Sequence, residues 1–202
     1  MSKLTWLSKN ASKKTLPDAV KLAQALYDEV ELWTMDEHRI GLKPVLHKVW
    51  APQGQRPLIK TYPRYEWLYL YAFVQPQTGK TVWYILPEMN TAAFQVVLDN
   101  FASSLDTSET KHIMLVMDNA SWHTSPKLVL PEGVEAVYPP PYSPELQPAE
   151  HLWSLSDELI TNRCLNNLDD LERRLTVQCE RLIQNPERVK AHTLFHWWPG
   201  VD

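Results

Sequence analysis

Glycine is scarce in this chain, with 5 among 202 residues. Neither the G-x-x-x-x-G-K-[ST] loop that cradles phosphates nor the G-x-G-x-x-G dinucleotide turn occurs. The G-x-S-x-G elbow of serine hydrolases is missing too. Cysteine is almost absent: Cys164 and Cys179 are the two present. That excludes a disulfide framework and a thiolate zinc cluster, and the expectation is free thiols in a reducing compartment. "HTLFH" at His192–His196 lacks the glutamate of H-E-x-x-H and suggests no zinc site. Long apolar runs are also missing. "WLYLYAFV" and "IMLVM" fall far short of the about 18–20 residues a membrane helix needs. The basic start "MSKLTWLSKNASKK" has no apolar stretch behind it, so no signal peptide is read there.

Acidic residues are missing from one long interval. Net charge is −4, which by itself argues mildly against a nucleic-acid partner. Yet no Asp or Glu occurs from His38 to Tyr65, while Arg39, Lys43, Lys48, Arg56, Lys60 and Arg64 all do. A phosphate backbone responds to local charge within about a Debye length, roughly 8–10 Å. This basic segment in an acidic chain is therefore the candidate DNA-facing surface.

What is abundant is stiff and aromatic: 16 prolines, 9 tryptophans and 8 tyrosines, with 44% hydrophobic residues. The length fits one domain. Residues 1–16 read as a polar, basic arm, and 17–202 as the folded domain with a helical part over 149–190. "LPDAVKLAQALYDEV" has helical spacing, with Pro17 expected in the first turn. "ELWTMDE" and "PVLHKVW" read as strands, and "EWLYLYAFVQ" and "KTVWYILP" as a hairpin around "PQTG". "NTAAFQVVLDNFASSLD" is a helix capped by Asn90 or Thr91. "KHIMLVMDN" is continuously apolar, as in a strand buried on both faces. "VEAVYP" is a short strand, followed by helices in "AEHLWSLSDELI" and "NLDDLERRLTVQCERLIQ". The expected class is α/β, a mixed β-sheet flanked by helices, with the strand order left open.

Three carboxylates stand out. Asp36 closes an early strand and Asp118 closes the most apolar one, where side chains at carboxyl ends of strands gather into sites. An Asp after five apolar residues must reach water or a positive partner. "DN" also simply favours a turn. Glu150 follows a run in which Pro139, Pro140, Pro141, Pro144 and Pro148 leave the backbone few conformations. On a helix of 100° per residue it would face away from Leu152, Leu155 and Leu159, alongside Ser154, Asp157 and Thr161. A first-turn glutamate also suits the helix dipole without any further role. Three carboxylates presented together would make a hard oxygen site for Mg²⁺ or Mn²⁺. Glu37 and Glu145 are the reserve acids, and Glu37 should face opposite Asp36 in a strand.

"WTMDEHRIGLKPVLHKVWAPQGQRP", "MLVMDNASWH" and "VYPPPYSPELQPAEHLW" resemble, in order, the signature blocks of the DDE-superfamily transposase catalytic domain. The nearest branch is the bacterial insertion-sequence type related to mariner transposases. The resemblance covers about residues 30–160. It implies a ribonuclease H-like fold and metal-dependent DNA cleavage and strand transfer. Asp36, Asp118 and Glu150 match the three catalytic acids, which would hold two Mg²⁺ or Mn²⁺ ions. Asn119 and His123 match a pair of positioning residues beside the second acid. Double-stranded DNA is the implied substrate. A separate helix-turn-helix polypeptide and a second copy of the chain are the partners it admits, in a prokaryotic cytoplasm near the nucleoid.

The chain departs from that pattern in places. The interval from Asp118 to Glu150 is shorter than usual, Gln147 replaces a common asparagine, and the helix after Glu150 carries less lysine. No helix-turn-helix region is read before the first helix, so a catalytic domain alone is expected. Two alternatives stand beside it: another ribonuclease H-like nuclease, or an inactive remnant that binds DNA or protein.

Overall fold

The computed structural model describes residues 4–5, 9–55, 58, 64–105, 107, 111–140 and 143–200. Its centre is a six-stranded sheet built from β1 (Leu4–Thr5), β2 (Glu29–Gly41), β3 (Trp67–Gln75), β4 (Lys80–Leu86), β5 (Lys111–Val116) and β6 (Val134–Tyr138). The strand order is β1-β6-β5-β2-β3-β4. β2, β3 and β4 are antiparallel neighbours, whereas β2, β5, β6 and β1 run parallel. Among the described residues five α-helices surround the sheet: α1 (Lys9–Gln24), α2 (Thr91–Ser104), α3 (Trp153–Ser156), α4 (Leu168–Ile183) and α5 (Pro186–Thr193). The architecture is the expected mixed sheet flanked by helices. Among the described residues no helix is long and apolar enough to cross a membrane.

Strand parity sorts the core into two faces. Trp33, Met35, Tyr71, Phe73, Ile113, Leu115 and Met117 point to the face covered by Phe94, Val97, Leu98 and Phe101 of α2. On the other face α1 brings Leu16, Val20 and Ala23 over Leu32, Met114, Val116 and Val137. Farther along that face, α4 sets Leu171, Leu175 and Cys179 against Ile40, Leu68 and Leu70. Each fully buried Leu, Val or Phe contributes about 1.5–3 kcal/mol. Asn90 caps α2 by accepting from the Ala93 N–H at 2.9 Å, as the sequence suggests. Gly79 turns the β3–β4 hairpin at φ +73, and a Cβ there would lie 1.9 Å from the Pro186 carbonyl oxygen, so a side chain is excluded.

Four expectations change. Residues 1–16 are not wholly an arm: Leu4–Thr5 pairs with β6, and α1 starts at Lys9 with Pro17 inside it. Leu16 is fully buried and draws that stretch onto the sheet. "PVLHKVW" forms no strand, because it has no neighbour to pair with; Leu46, Val49 and Trp50 are exposed. Asp36 does not end β2, which runs on to Gly41 along β3. The helix expected over "AEHLWSLSDELI" is divided into a 3-10 turn at Pro148–Leu152, the one-turn α3 and a 3-10 turn at Asp157–Leu159.

Candidate active site

β2 and β5 run parallel, and their last pair is Thr34 with Val116. Asp36 and Asp118 each lie two residues beyond that pair. By strand parity Asp36 falls on the sheet face that carries α1 and the turn bearing Glu150. β5 ends at Val116, so Asp118 is released into a loop, while β2 continues and keeps Asp36 on rigid backbone.

Asp36 is half-buried, and its Oδ2 accepts from the Trp153 indole Nε1–H at 3.1 Å. Burial, then the neighbouring charge of Glu37 and more weakly that of Glu150, pushes its carboxyl up to about 7; the Glu37 backbone N–H and Trp153 pull the other way. Asp118 is half-exposed. Its Oδ1 accepts from the Ala120 backbone N–H at 3.0 Å and from His123 Nδ1 at 2.7 Å. Burial would raise its carboxyl, but the hydrogen bond and charge of His123, with the Ala120 N–H, hold it below the ordinary value.

His123 has no exposed side-chain surface, and its Nε2 donates to Glu37 Oε1 at 2.8 Å. Burial works against its charge. The Glu37 charge, the hydrogen bonds to Asp118 and Glu37 and the Asp118 charge outweigh that and push the imidazole up to about 9. Both ring nitrogens face carboxylates, so both carry protons and donate. The Trp122 indole N–H also donates to Glu37 Oε1, at 3.3 Å. Tyr138 donates its hydroxyl to the His123 carbonyl at 3.0 Å.

Glu37 thus faces opposite Asp36, as alternation requires, and becomes the buried counter-charge of His123. Sequence reading placed it only among reserve acids; its adjacency to Asp36 in "MDE" was the one signal.

Glu150 is exposed on the 3-10 turn Pro148–Leu152. Burial first, then the charges of Asp118 and Glu145, raises its carboxyl. Asp36 thus feels the charge of Glu150, and Glu150 that of Asp118. Among the described residues, however, no three His, Cys, Asp or Glu side chains stand drawn together as a ready metal-ion site.

The lead-in to Glu150 is pinned at two points. Asn119 donates its Nδ2–H to the Pro139 carbonyl at 2.6 Å. Buried Gln147 accepts from the Thr34 hydroxyl at 3.0 Å, one alternation upstream of Asp36 on β2. Asp157 does not share an outward face with Glu150. It is buried beside His38, whose Nε2 lies 3.3 Å from Asp157 Oδ2.

Of the candidate DNA-facing residues, Arg39, Lys43, Lys48 and Arg64 are exposed. Arg39 lies over the Trp67 ring at 5.0 Å, and Arg64 donates to the Asn166 carbonyl at 2.7 Å. Arg56 and Lys60 lie outside the described residues.

Known proteins share this architecture. Over 132 residues the chain is 32% identical to the uncharacterized protein y4pE/y4sA of Sinorhizobium fredii, covering 65% of this chain and 96% of that one. The pre-cleavage Mos1 transpososome superposes with a TM-score of 0.58 at 17% identity, over 91% of this chain and 61% of the Mos1 chain. The Mos1 strand transfer complex gives 0.56 at 18% identity, over 91% and 60%. The Mos1 mariner paired end complex with Mn gives 0.55 at 15% identity, over 96% and 67%. At these identities the likeness is one of fold, and the fold is ribonuclease H-like. The chain spans about three fifths of the Mos1 chains in the first two complexes. Residues 31–172 match the family described as DDE superfamily endonuclease, and the chain belongs to that family.

Proposed function

We propose that this chain is the catalytic domain of a transposase of the bacterial insertion-sequence type related to mariner elements. It would cut and join DNA strands with Asp36, Asp118 and Glu150 as its acids. The observation that carries this reading is the parallel register of β2 and β5. It leads the chain past β5, where Asp118 lies, alongside the part of β2 that carries Asp36, and a proline-stiffened turn carries Glu150 over the Asp36 face.

The donor set fits a hard divalent ion: it is all carboxylate, and the charges that bear on Asp36 are the negative ones of Glu37 and Glu150. Asp36 and Asp118 would hold the first of two Mg²⁺ or Mn²⁺ ions, and Glu150 would complete the set. Such ions, when bound, activate water or a 3′-hydroxyl and offset charge on an in-line phosphoryl centre.

The chain's own residues supply order. His123 and the Ala120 N–H fix Asp118 Oδ1, Glu37 fixes His123, and Asn119 with Gln147 fix the path into the Glu150 turn. No side chain needs to form a covalent intermediate. Arg39, Lys43 and Lys48, exposed beyond Asp36 on the chain, would meet phosphates of double-stranded DNA, with Arg56, Lys60 and Arg64 in the same segment. Recognition of element ends would fall to a helix-turn-helix polypeptide, with a second copy of the chain joining the assembly near the nucleoid of a prokaryotic cytoplasm.

The test is strand transfer from pre-cut DNA ends with Mg²⁺ and then Mn²⁺, comparing wild type with Asp118→Asn. Joining by wild type and its loss in the variant, with DNA binding kept, is the expected result. Equal joining by both refutes the mechanism. Cleavage without joining points to a ribonuclease H-like nuclease, and no turnover even with a DNA-recognition subunit supplied points to a remnant.

A further inference from the structure

Glu150 and Trp153 sit at positions i and i+3 of one turn. That turn is 3-10, and the Trp153 backbone N–H closes it on the Glu150 carbonyl. With three residues per turn, side chains i and i+3 eclipse one another. Trp153 and Glu150 therefore project from the same side of the turn. Trp153 reaches β2 from there, donating its indole Nε1–H to Asp36 Oδ2 at 3.1 Å.

The indole is itself held. His38 stacks on it with ring centres 4.9 Å apart and planes 24° from parallel. His38 Nε2 is 3.3 Å from Asp157 Oδ2, and Asp157 is buried. The Asp157 carbonyl accepts from the Thr161 N–H at 2.8 Å and the Thr161 hydroxyl at 2.9 Å, which fixes the far end. The brace runs Asp157–His38–Trp153–Asp36, and it ties the segment that carries Glu150 to the strand that carries Asp36.

We propose that Trp153 is a positioning residue that orients the Asp36 carboxylate and registers the Glu150 turn against it. The indole N–H holds Oδ2 and so fixes the direction in which the carboxylate meets a bound cation. The inference rests on the reading of Asp36, Asp118 and Glu150 as metal-holding acids. Spacing follows from it: a glutamate three residues before the tryptophan is eclipsed with it in a 3-10 turn, whereas an α-helix would offset the two by about 60°.

The test is calorimetric titration of the purified full chain with Mn²⁺, comparing wild type, Asp36→Asn and Trp153→Phe. Trp153→Phe retains an aromatic ring and loses the N–H. Loss of a hydrogen bond that orients a metal-binding carboxylate weakens affinity about 10–100-fold, and that is the expected effect. Far-UV circular dichroism should stay unchanged, and raising Mn²⁺ should restore strand transfer, which a packing defect would not allow. Wild-type Mn²⁺ affinity in Trp153→Phe, with affinity lost in Asp36→Asn, overturns the brace and leaves the metal reading intact. Equal binding by wild type and Asp36→Asn overturns the metal reading, and the brace with it. Should Trp153→Phe fail to fold, His38→Leu loosens the ring while keeping the N–H. It should weaken Mn²⁺ binding in the same direction, and unchanged affinity there overturns the proposal.

Discussion

Replacing Glu37 with alanine should unsettle the molecule from inside the sheet. Glu37 Oε1 accepts from His123 Nε2 at 2.8 Å and from Trp122 Nε1 at 3.3 Å. The His123 side chain has 0% of its surface exposed and that of Glu37 has 3%. A hydrogen bond to a charged group contributes about 1.5–3 kcal/mol, and a buried imidazolium left short of a counter-charge carries a further cost. Together these put Glu37→Ala at about 3–5 kcal/mol. Glu37→Gln keeps an oxygen acceptor and loses only the charge, so about 1–2 kcal/mol is expected. Urea unfolding followed by tryptophan fluorescence, in EDTA, reads both. Combined with His123→Leu, the Glu37→Ala loss should be strongly non-additive, with a coupling of about 2 kcal/mol. A Glu37→Ala loss under about 1 kcal/mol, or simple additivity with His123→Leu, would refute the charged relay.

Other perturbations test other parts of the structure. Phe101, fully buried, stacks on Phe73 at 4.0 Å and meets Trp33 edge-on at 5.2 Å; Phe101→Ala should cost about 3–5 kcal/mol in the same urea assay. Cys164 is exposed and should react with a thiol reagent at pH 8 within minutes. Cys179 is buried, and that burial pushes its thiol up to about 12, so it should label only on unfolding, as mass spectrometry would show. Neutralising Lys43 and Lys48 together should weaken duplex binding similarly for unrelated sequences. It should also flatten the salt dependence of log K by about 2, measured by fluorescence anisotropy.

Much of this fold was legible because its elements obey simple periods. The apolar run Ile113–Met117 could only be a strand covered on both faces, and the "PQTG" turn dictated the β3–β4 hairpin. "PVLHKVW" misled because alternation specifies a strand only if a neighbour exists to pair with it. Leu46, Val49 and Trp50 instead face outward. The Glu150 segment misled in a different way. A rotation of 100° per residue placed Asp157 outward with Glu150, but the segment is broken into 3-10 turns and Asp157 is buried against His38. Asp118 just past β5 and Glu150 on the proline-led turn sit near where the sequence put them, whereas Asp36 lies inside β2 rather than at its end. The supports of these acids were not readable. Glu37, Trp153 and Gln147 act across 86, 117 and 113 residues of sequence, and no local pattern reports such contacts.

The most direct test of the proposed carboxylate site is a crystal structure of the chain grown with Mn²⁺, read by anomalous scattering at the manganese edge. The expected result is an anomalous peak bound by Asp36 and Asp118, with the Glu150 carboxylate turned in to share the site and Trp153 still donating to Asp36. An ordered Mn²⁺-bound structure with Glu150 directed away, or manganese bound elsewhere while these three acids stay free of it, would contradict the assignment.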